Sequence, residues 1–343
     1  MFGSLGELAL AITKEGRESG QFASQLGQLR NALGSDIPSE GGFLVPEQQR
    51  ATILDLALEQ SIVRPRATVI PMPSLRVPIP AIDETTHANG TVYGGVQAYW
   101  TEESATLEES GPAFGRVVLD AKKLTLYAET PSELLQDSGT LESWLRSRFP
   151  AAMAWSEDKA FLTGSGVGEP LGVLNGSGKV AVTRTDANRI QWLDILNIVA
   201  RLLPSSFANA VWVANINTIP QLGSLQSIVQ NVAGTENVGG SAIWLTNGAN
   251  GMPLSILGRP LLFTEKVPAL GTAADLSLID FSHYLLGDRQ AMTMKASEDF
   301  KFRQDEVAFR VIERVDGRPW VNSPLTPAEG SDTLSPYVTL GSA

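Results

Sequence analysis

Cysteine is absent from the 343 residues, and histidine occurs only twice. Without thiols there is no disulfide framework, no thiolate zinc or iron–sulfur site and no cysteine nucleophile. Two histidines are too few for a histidine-rich metal site. No run of about 18 apolar residues occurs, so no spanning helix and no membrane partner are expected. The opening MFGSLGELAL lacks a basic leader and carries Glu7 in its apolar stretch, so it does not read as a secretory signal. Basic residues are in deficit, 26 Lys and Arg against 37 Asp and Glu for a net charge of −11. That balance argues against a sequence-wide grip on nucleic acid, which needs clustered cations. What is present suits a chain that buries real cores: 43% hydrophobic and 18% charged residues, at a length fitting two or three compact units.

Periodicity divides the chain. Residues 1–33 read as amphipathic helix, with Leu5, Leu8, Ala9 and Ile12 and then Phe22, Leu26, Leu29 and Leu33 at helical spacing. Phe43 to Val45 read as extended, and Pro46 opens a helix whose apolar face is Ile53, Leu54, Ala57 and Leu58. From Val69 the period becomes two. Prolines at 71, 73, 78 and 80 make this an edge or protruding strand, because proline cannot donate to a ladder. Asn89-Gly90 marks a turn, and Val117, Leu119 and Ala121 alternate on the way back. Residues 69–128 are thus expected to form a long two-stranded excursion, which needs a surface to lie on. Thr130-Pro131-Ser132-Glu133 signals a helix start with Pro131 at its first position. A long helix with the stripe Leu141, Trp144, Leu145, Phe149, Met153, Phe161 and Leu162 follows, and Pro150 predicts a kink in it. Helix is expected at 191–203. Strands are expected at 210–214, 241–246, 260–264, 276–280, 284–286, 291–295 and 307–315. The Ser/Thr/Pro/Gly-rich tail 326–343 is expected to be extended or loose.

Charge is unevenly placed. Residues 77–115 hold six acids (Asp83, Glu84, Glu102, Glu103, Glu108, Glu109) and no Lys or Arg. Residues 202–258 carry a single charge, Glu236. Such neutrality fits either a surface covered by other copies of the chain or a well-buried α/β core. Chemical motifs are weak. GSGVGEPLG follows a helix and precedes a loop, the reverse of a dinucleotide fingerprint, and has no Gly-Lys-Ser/Thr, so it reads as a helix-terminating loop. His87 and His283 have no catalytic or metal-spaced partners in sequence and read as ordinary turn or surface histidines. Glu102-Glu103 and Glu108-Glu109 could serve a two-carboxylate hydrolase, but they lie on an exposed hairpin where buried, shifted carboxylates are not expected.

The ordered series of segments resembles a known family. GGFLVP leads to the protruding hairpin, and its return carries Trp100-x-x-Glu103, then PAF and KKL. SELLQDS, LESWLRSR and AFLTGSGVGEPLGVLNG follow, then VANINTIPQL, LGRPLLFTE, HYLLGDRQAMTM and DFKFRQDEVAFRVIERVDG. Over residues 32–325 this is similar to the major capsid proteins of tailed bacteriophages, the Hong Kong 97-type fold. The resemblance implies an α+β architecture. It would comprise an N-terminal amphipathic segment (1–31), an N-terminal arm (32–68) and an extended β-hairpin loop (69–126). A peripheral domain with a long spine helix (127–185 and 289–325), an axial domain (186–288) and a C-terminal tail (326–343) would complete it. It implies a structural role: pentamers and hexamers of this chain tiling an icosahedral shell around double-stranded DNA, assembled in the bacterial host cytoplasm and residing in the virion.

No catalytic residue, cofactor or metal is expected. The expected partners are other copies of the chain, separate scaffolding, portal and cement proteins, and packaged DNA bound without sequence specificity. Residues 1–31 are short for a scaffolding segment, so either a separate scaffold or this amphipathic helix would serve. The Lys–Asn isopeptide of some family members does not carry over: no Lys lies between Lys14 and Lys122, and no Asn between Asn250 and Asn322. The candidate inter-subunit contacts are Trp100, Glu102, Glu103, Leu107, Glu108, Glu109 and Phe114 on the hairpin, meeting Lys301 and Arg303 of a neighbour. Two other readings stand beside this: an encapsulin-type nanocompartment shell, which a cargo pocket and a shorter arm would favour, and the soluble two-carboxylate hydrolase.

Overall fold

The computed structural model describes residues 58–82, 84–137, 139–226 and 255–342. The helices expected before residue 58 and the strand expected at 241–246 lie outside these residues.

Two sheets carry the fold. The first is four-stranded, in the order β1 (Thr68–Pro71), β12 (Tyr284–Lys301), β13 (Glu306–Pro319), β6 (Lys122–Pro131). β1 runs parallel to β12, and the other neighbours are antiparallel. Along β13 the odd positions Phe309, Val311, Glu313 and Val315 are buried, while Arg310 is exposed and Ile312 and Arg314 are half-buried. This is the period-two alternation of a sheet covered on one face. The covering element is the long helix α2 (Gly139–Thr163), which follows the short α1 (Ser132–Asp137). Phe149 of α2 meets Phe309 edge-on at 6.3 Å, and Phe161 meets Tyr284 at 5.8 Å. Helical conformation continues through Pro150, where the missing N–H predicts a kink. Leu145 and Met153, both buried, anchor the helix on either side of it. Pro131 is the last residue of β6, not the first of a helix; α1 starts at Ser132.

The second sheet is six-stranded and mixed, in the order β7 (Val180–Val182), β14 (Tyr337–Leu340), β11 (Leu276–Ile279), β8 (Val211–Asn215), β10 (Arg259–Thr264), β9 (Ser255–Ile256). β8, β11 and β14 are buried at every position, as near-continuous apolar runs inside a two-faced sheet should be. The helix α3 (Trp192–Ala200) lays Ile195 and Ile198 into this core with Trp212, Leu276 and Val338. Gln191 and Asp194 form a capping box at its start. The end of the chain is therefore extended but not loose: β14 sits between β7 and β11, because Tyr337, Val338 and Leu340 have only the core to bury in. In the described parts of the neutral 202–258 stretch, β8 and its flanks are core, whereas most of the loop positions around them are exposed, among them Phe207, Ile216 and Leu257.

The loop after α2 closes tightly. Gly166 and Gly168 have φ of 81° and 75°, and a Cβ on Gly164 would lie 2.2 Å from the Pro170 carbonyl oxygen. Glu169 accepts hydrogen bonds from the Ser165 amide and hydroxyl at 2.8 and 2.9 Å. The loop thus supplies its own anion and ends the helix as expected.

Candidate inter-subunit contact surface

The protruding hairpin is narrower than its sequence period suggests. β1 and β6 belong to the four-stranded sheet, and the excursion proper is the antiparallel pair β2 (Arg76–Ile82) and β5 (Phe114–Asp120), registered from Arg76↔Asp120 to Ile82↔Phe114. β2 has one free edge, which tolerates Pro78 and Pro80. Its root is seated by Val117, Leu119 and Ala121 packing with Met72 and Leu285.

Beyond the root the chain forms β3 (Thr91–Val92) and β4 (Val96–Gln97), joined by a turn through Tyr93, Gly94 and Gly95. A Cβ on Gly95 would lie 2.6 Å from the Gly111 carbonyl oxygen, so glycine lets the returning backbone pass close by. The Ser110 hydroxyl pins the neck: it accepts from the Gln97 amide at 3.1 Å and donates to the Gln97 carbonyl at 3.0 Å. Thr326 ties the excursion to the body: its carbonyl accepts from the His87 amide at 2.8 Å, and its amide donates to the Thr85 carbonyl at 2.9 Å.

Residues 98–109 project from this neck as an open loop, exposed throughout. Trp100 is fully exposed, Leu107 is 79% exposed, and Phe114 at the strand start is 72% exposed. Isolated exposed apolar residues are ordinary, but three large ones on one protrusion make it the candidate interaction surface. Glu84 is held by His87 Nε2 at 2.7 Å and the Tyr93 amide at 3.2 Å. Among the described residues, the side chains of Glu102, Glu103, Glu108 and Glu109 form no hydrogen bond or ion pair.

A second protrusion is the turn between β12 and β13. Here Lys301 is engaged within its own chain, by Glu129 and by Glu306 at 3.2 Å. Hydrogen bonds to Glu129 and Glu306 hold its ammonium above the usual lysine range, and the Lys301 contact holds Glu129 below the usual carboxylate range. Arg303 is exposed and makes no ion pair among the described residues. Phe302 is 82% exposed, and Phe300 meets Tyr127 edge-on at 6.3 Å. The seven hairpin candidates therefore share one excursion, Lys301 and Arg303 share another, and among the described residues no hydrogen bond or ion pair joins the two groups within a chain.

Sequence reasoning missed two ionic hubs that fix the body beneath these protrusions. Asp158 of α2 accepts from the Ser61 hydroxyl at 2.9 Å and the Ile62 and Val63 amides at 2.9 and 2.8 Å, while its other oxygen meets the buried Lys266 ammonium at 2.9 Å. Arg64 reaches Glu157, Asp288 at 2.8 Å and Glu313 at 3.4 Å. Burial and then the repulsion of Glu157 push the Glu313 carboxyl up to about 7. Adjacent Glu157-Asp158 beside the apolar stripe of the helix was the available signal.

Both histidines also have carboxylate neighbours three residues back, unlike the sequence expectation: His87 with Glu84, and His283 with Asp280 at 3.1 Å. They line one cavity of about 470 Å³ with Arg116, Trp320 and Asn322. Ser282 Oγ lies 3.2 Å from His283 Nδ1, the nitrogen that Asp280 already meets. Serine and aspartate thus share one ring nitrogen, whereas a nucleophilic relay needs one on each.

Comparison with known proteins gives the frame for this surface. The model described as the phage capsid family matches residues 41–330. The major capsid protein of Klebsiella oxytoca phage phiKO2 is 24% identical over 293 residues, covering 78% of this chain and 60% of that protein. The capsid polyprotein of Pseudomonas phage PAJU2 is 24% identical over 245 residues, 68% of this chain and 33% of the polyprotein. The chain thus spans less than two thirds of the length of these relatives. Among solved structures, the capsid of the native GTA particle superposes with a TM-score of 0.70 at 22% identity, covering 90% of this chain and 100% of that one. A Microbacterium phage Oxtober96 chain gives 0.64 at 16% identity, covering 90% and 99%. The fold is the α+β fold of these capsid chains.

Proposed function

The chain belongs to the phage capsid family, and from that premise we propose that it is a major capsid protein. Its copies build pentamers and hexamers that tile an icosahedral shell around double-stranded DNA. The observation that carries this reading is the excursion at 76–120, which exposes Trp100, Leu107 and Phe114 and four carboxylates that are unpartnered among the described residues. One repeated set of contacts between copies closes a shell instead of running into a filament. The role is structural, with no reaction and no cofactor. The four-stranded sheet with α2 corresponds to the peripheral domain. The six-stranded sheet corresponds to the axial domain, which gathers β7 and β14 as well. The excursion corresponds to the extended loop.

At the contact, Trp100, Leu107 and Phe114 supply the larger share, at about 25 cal/mol per Å² of apolar surface removed from water. The acids Glu102, Glu103, Glu108 and Glu109 meet cations of the next copy, each exposed pair adding about 0–1 kcal/mol. Arg303 is available for this, whereas Lys301 would have to leave Glu129 and Glu306. Scaffolding, portal and cement proteins complete the particle, which assembles in the bacterial cytoplasm and persists as the virion shell. The test is electron microscopy with intact-mass measurement of the expressed chain. Capsomer rings or closed shells support the reading; a monodisperse monomer at all concentrations refutes it.

A further inference from the structure

Beyond the shell reading, we propose that the cavity where the excursion leaves the body is a binding site for a small planar anion, an aromatic acid. The cavity holds about 470 Å³, within the range of small-molecule sites, about 300–1,000 Å³. Three parts of the chain wall it. β2 and β5 bring Ile82 and Arg116, the segment after β13 brings Trp320, and the loops of the six-stranded sheet bring Leu203, Leu334 and Pro336.

These walls are held without a ligand. On the sheet side the Leu203 amide donates to the Ser335 carbonyl at 3.1 Å, and the Ser335 amide donates to the Arg201 carbonyl at 3.0 Å. Leu325 and Leu334 exchange two amide–carbonyl hydrogen bonds, each of 2.8 Å. The Trp320 amide donates to the His283 carbonyl at 3.2 Å, and the two rings stack at 5.5 Å and 20°. Asp280 in turn holds the His283 imidazole at 3.1 Å. A site built this way loses little to ordering when a ligand enters.

The lining selects the class of ligand. Ile82 is 38% exposed, and Leu203, Leu334 and Trp320 are half-buried, so a flat ring gains by covering them and by stacking. The lining holds one carboxylate, Glu84, and one guanidinium, Arg116. Glu84 Oε1 is already engaged, by His87 Nε2 at 2.7 Å and the Tyr93 amide at 3.2 Å. Arg116 is exposed and forms no ion pair among the described residues. A guanidinium without an anion, set beside apolar and aromatic surface, suits a carboxylate or sulfonate carried on a ring. A ligand seated there touches both β5 and the loops of the six-stranded sheet, so it ties the excursion to the body.

The test titrates the full chain with anilinonaphthalene sulfonate, a planar aromatic anion whose fluorescence rises in apolar surroundings. Binding should saturate at one site per chain and raise the thermal unfolding midpoint. Arg116→Glu should weaken it at least tenfold, as expected when a hydrogen-bonded charge pair is replaced by repulsion. Ala81→Trp, which fills the cavity from β2, should abolish it, with circular dichroism confirming the fold of both variants. Anilinonaphthalene without the sulfonate should bind at least tenfold more weakly. A titration that never saturates, equal affinity for the neutral analogue, or affinity unchanged by Arg116→Glu overturns the proposal. So does binding that disappears in Trp100→Ala with Leu107→Ala, because the dye then sits on the tip, residues 98–109. None of these readouts depends on assembly, so the proposal and the capsid reading fail separately.

Discussion

Glu313→Gln separates the ionic hub from the packing around it. In the folded chain Arg64 faces three carboxylates, Glu157, Asp288 and Glu313, and one Glu313 oxygen is buried without a hydrogen-bond partner. Burial and the negative charge of Glu157 lift its carboxyl from 4.5 to about 7. A carboxyl whose folded pKa exceeds its unfolded value holds its proton more tightly in the folded state. Stability from this group is therefore present below about pH 4.5 and is lost as pH rises to about 7. At 1.36 kcal/mol per pKa unit the full swing is about 3 kcal/mol. Glutamine stays neutral, keeps the shape and retains an oxygen toward Arg64. Urea unfolding followed by tryptophan fluorescence, with wild type and variant compared at pH 5 and pH 8.5, should place the two together at pH 5. At pH 8.5 the variant should be more stable by about 1–3 kcal/mol, the lower end allowing for the lost attraction to Arg64. An equal shift at both pH values would assign the effect to packing. Destabilisation confined to pH 8.5 would mean that the Arg64–Glu313 attraction outweighs the burial cost, and the reasoning would fail.

Three further outcomes are expected. Trp100→Ala should leave the stability of the unassembled chain within about 0.5 kcal/mol, because the side chain is fully exposed, yet reduce assembly as read by sedimentation. Asp158→Asn leaves the buried Lys266 ammonium with the more distant Glu59, at 3.8 Å, as its remaining anion and should cost about 3–5 kcal/mol in denaturant unfolding; a loss under 1 kcal/mol would show that the hub is not what holds residues 61–63 on α2. Mature particles boiled in detergent should run as a single band near 36.7 kDa or slightly below, and a ladder of covalent multimers would contradict the absence of a suitably placed Lys and Asn.

Legibility in the sequence followed how local the cause was. Alternation at Val117, Leu119 and Ala121 identified β5, the apolar run before Asn215 identified β8, and the stripe Leu145, Phe149, Met153 identified α2, since each pattern is written in adjacent residues. Extents were harder. Strand period alone cannot say which sheet a strand joins, so β1 and β6 read as part of the excursion although their hydrogen bonds go to β12 and β13. β14 was hidden by its Ser/Thr/Pro/Gly-rich surroundings, because its burial depends on a slot between β7 and β11 that no local signal encodes.

The exposed acids of residues 98–109 were legible in the sequence and the unpaired cations of the four-stranded sheet were not, and the reason is geometric. The tip announces itself because its acids and exposed apolar residues fall within one short stretch, and charge counting along the chain finds it. The cations that lack an ion pair among the described residues of the four-stranded sheet are scattered over Lys123, Lys295, Arg310 and Arg314, and the bases of 289–318 are nearly balanced by acids. Only the register turns that balanced segment into a one-signed face. It sends Glu313 inward to Arg64 and engages Glu129 with Lys301, while Lys295 stands opposite Arg310 and Arg314 opposite Lys123. Sequence proximity to the turn had favoured Lys301, the cation whose charge the fold already uses. Strand pairing therefore decides which charges go unpaired among the described residues, and here it leaves four cations on a sheet face and four acids on a loop.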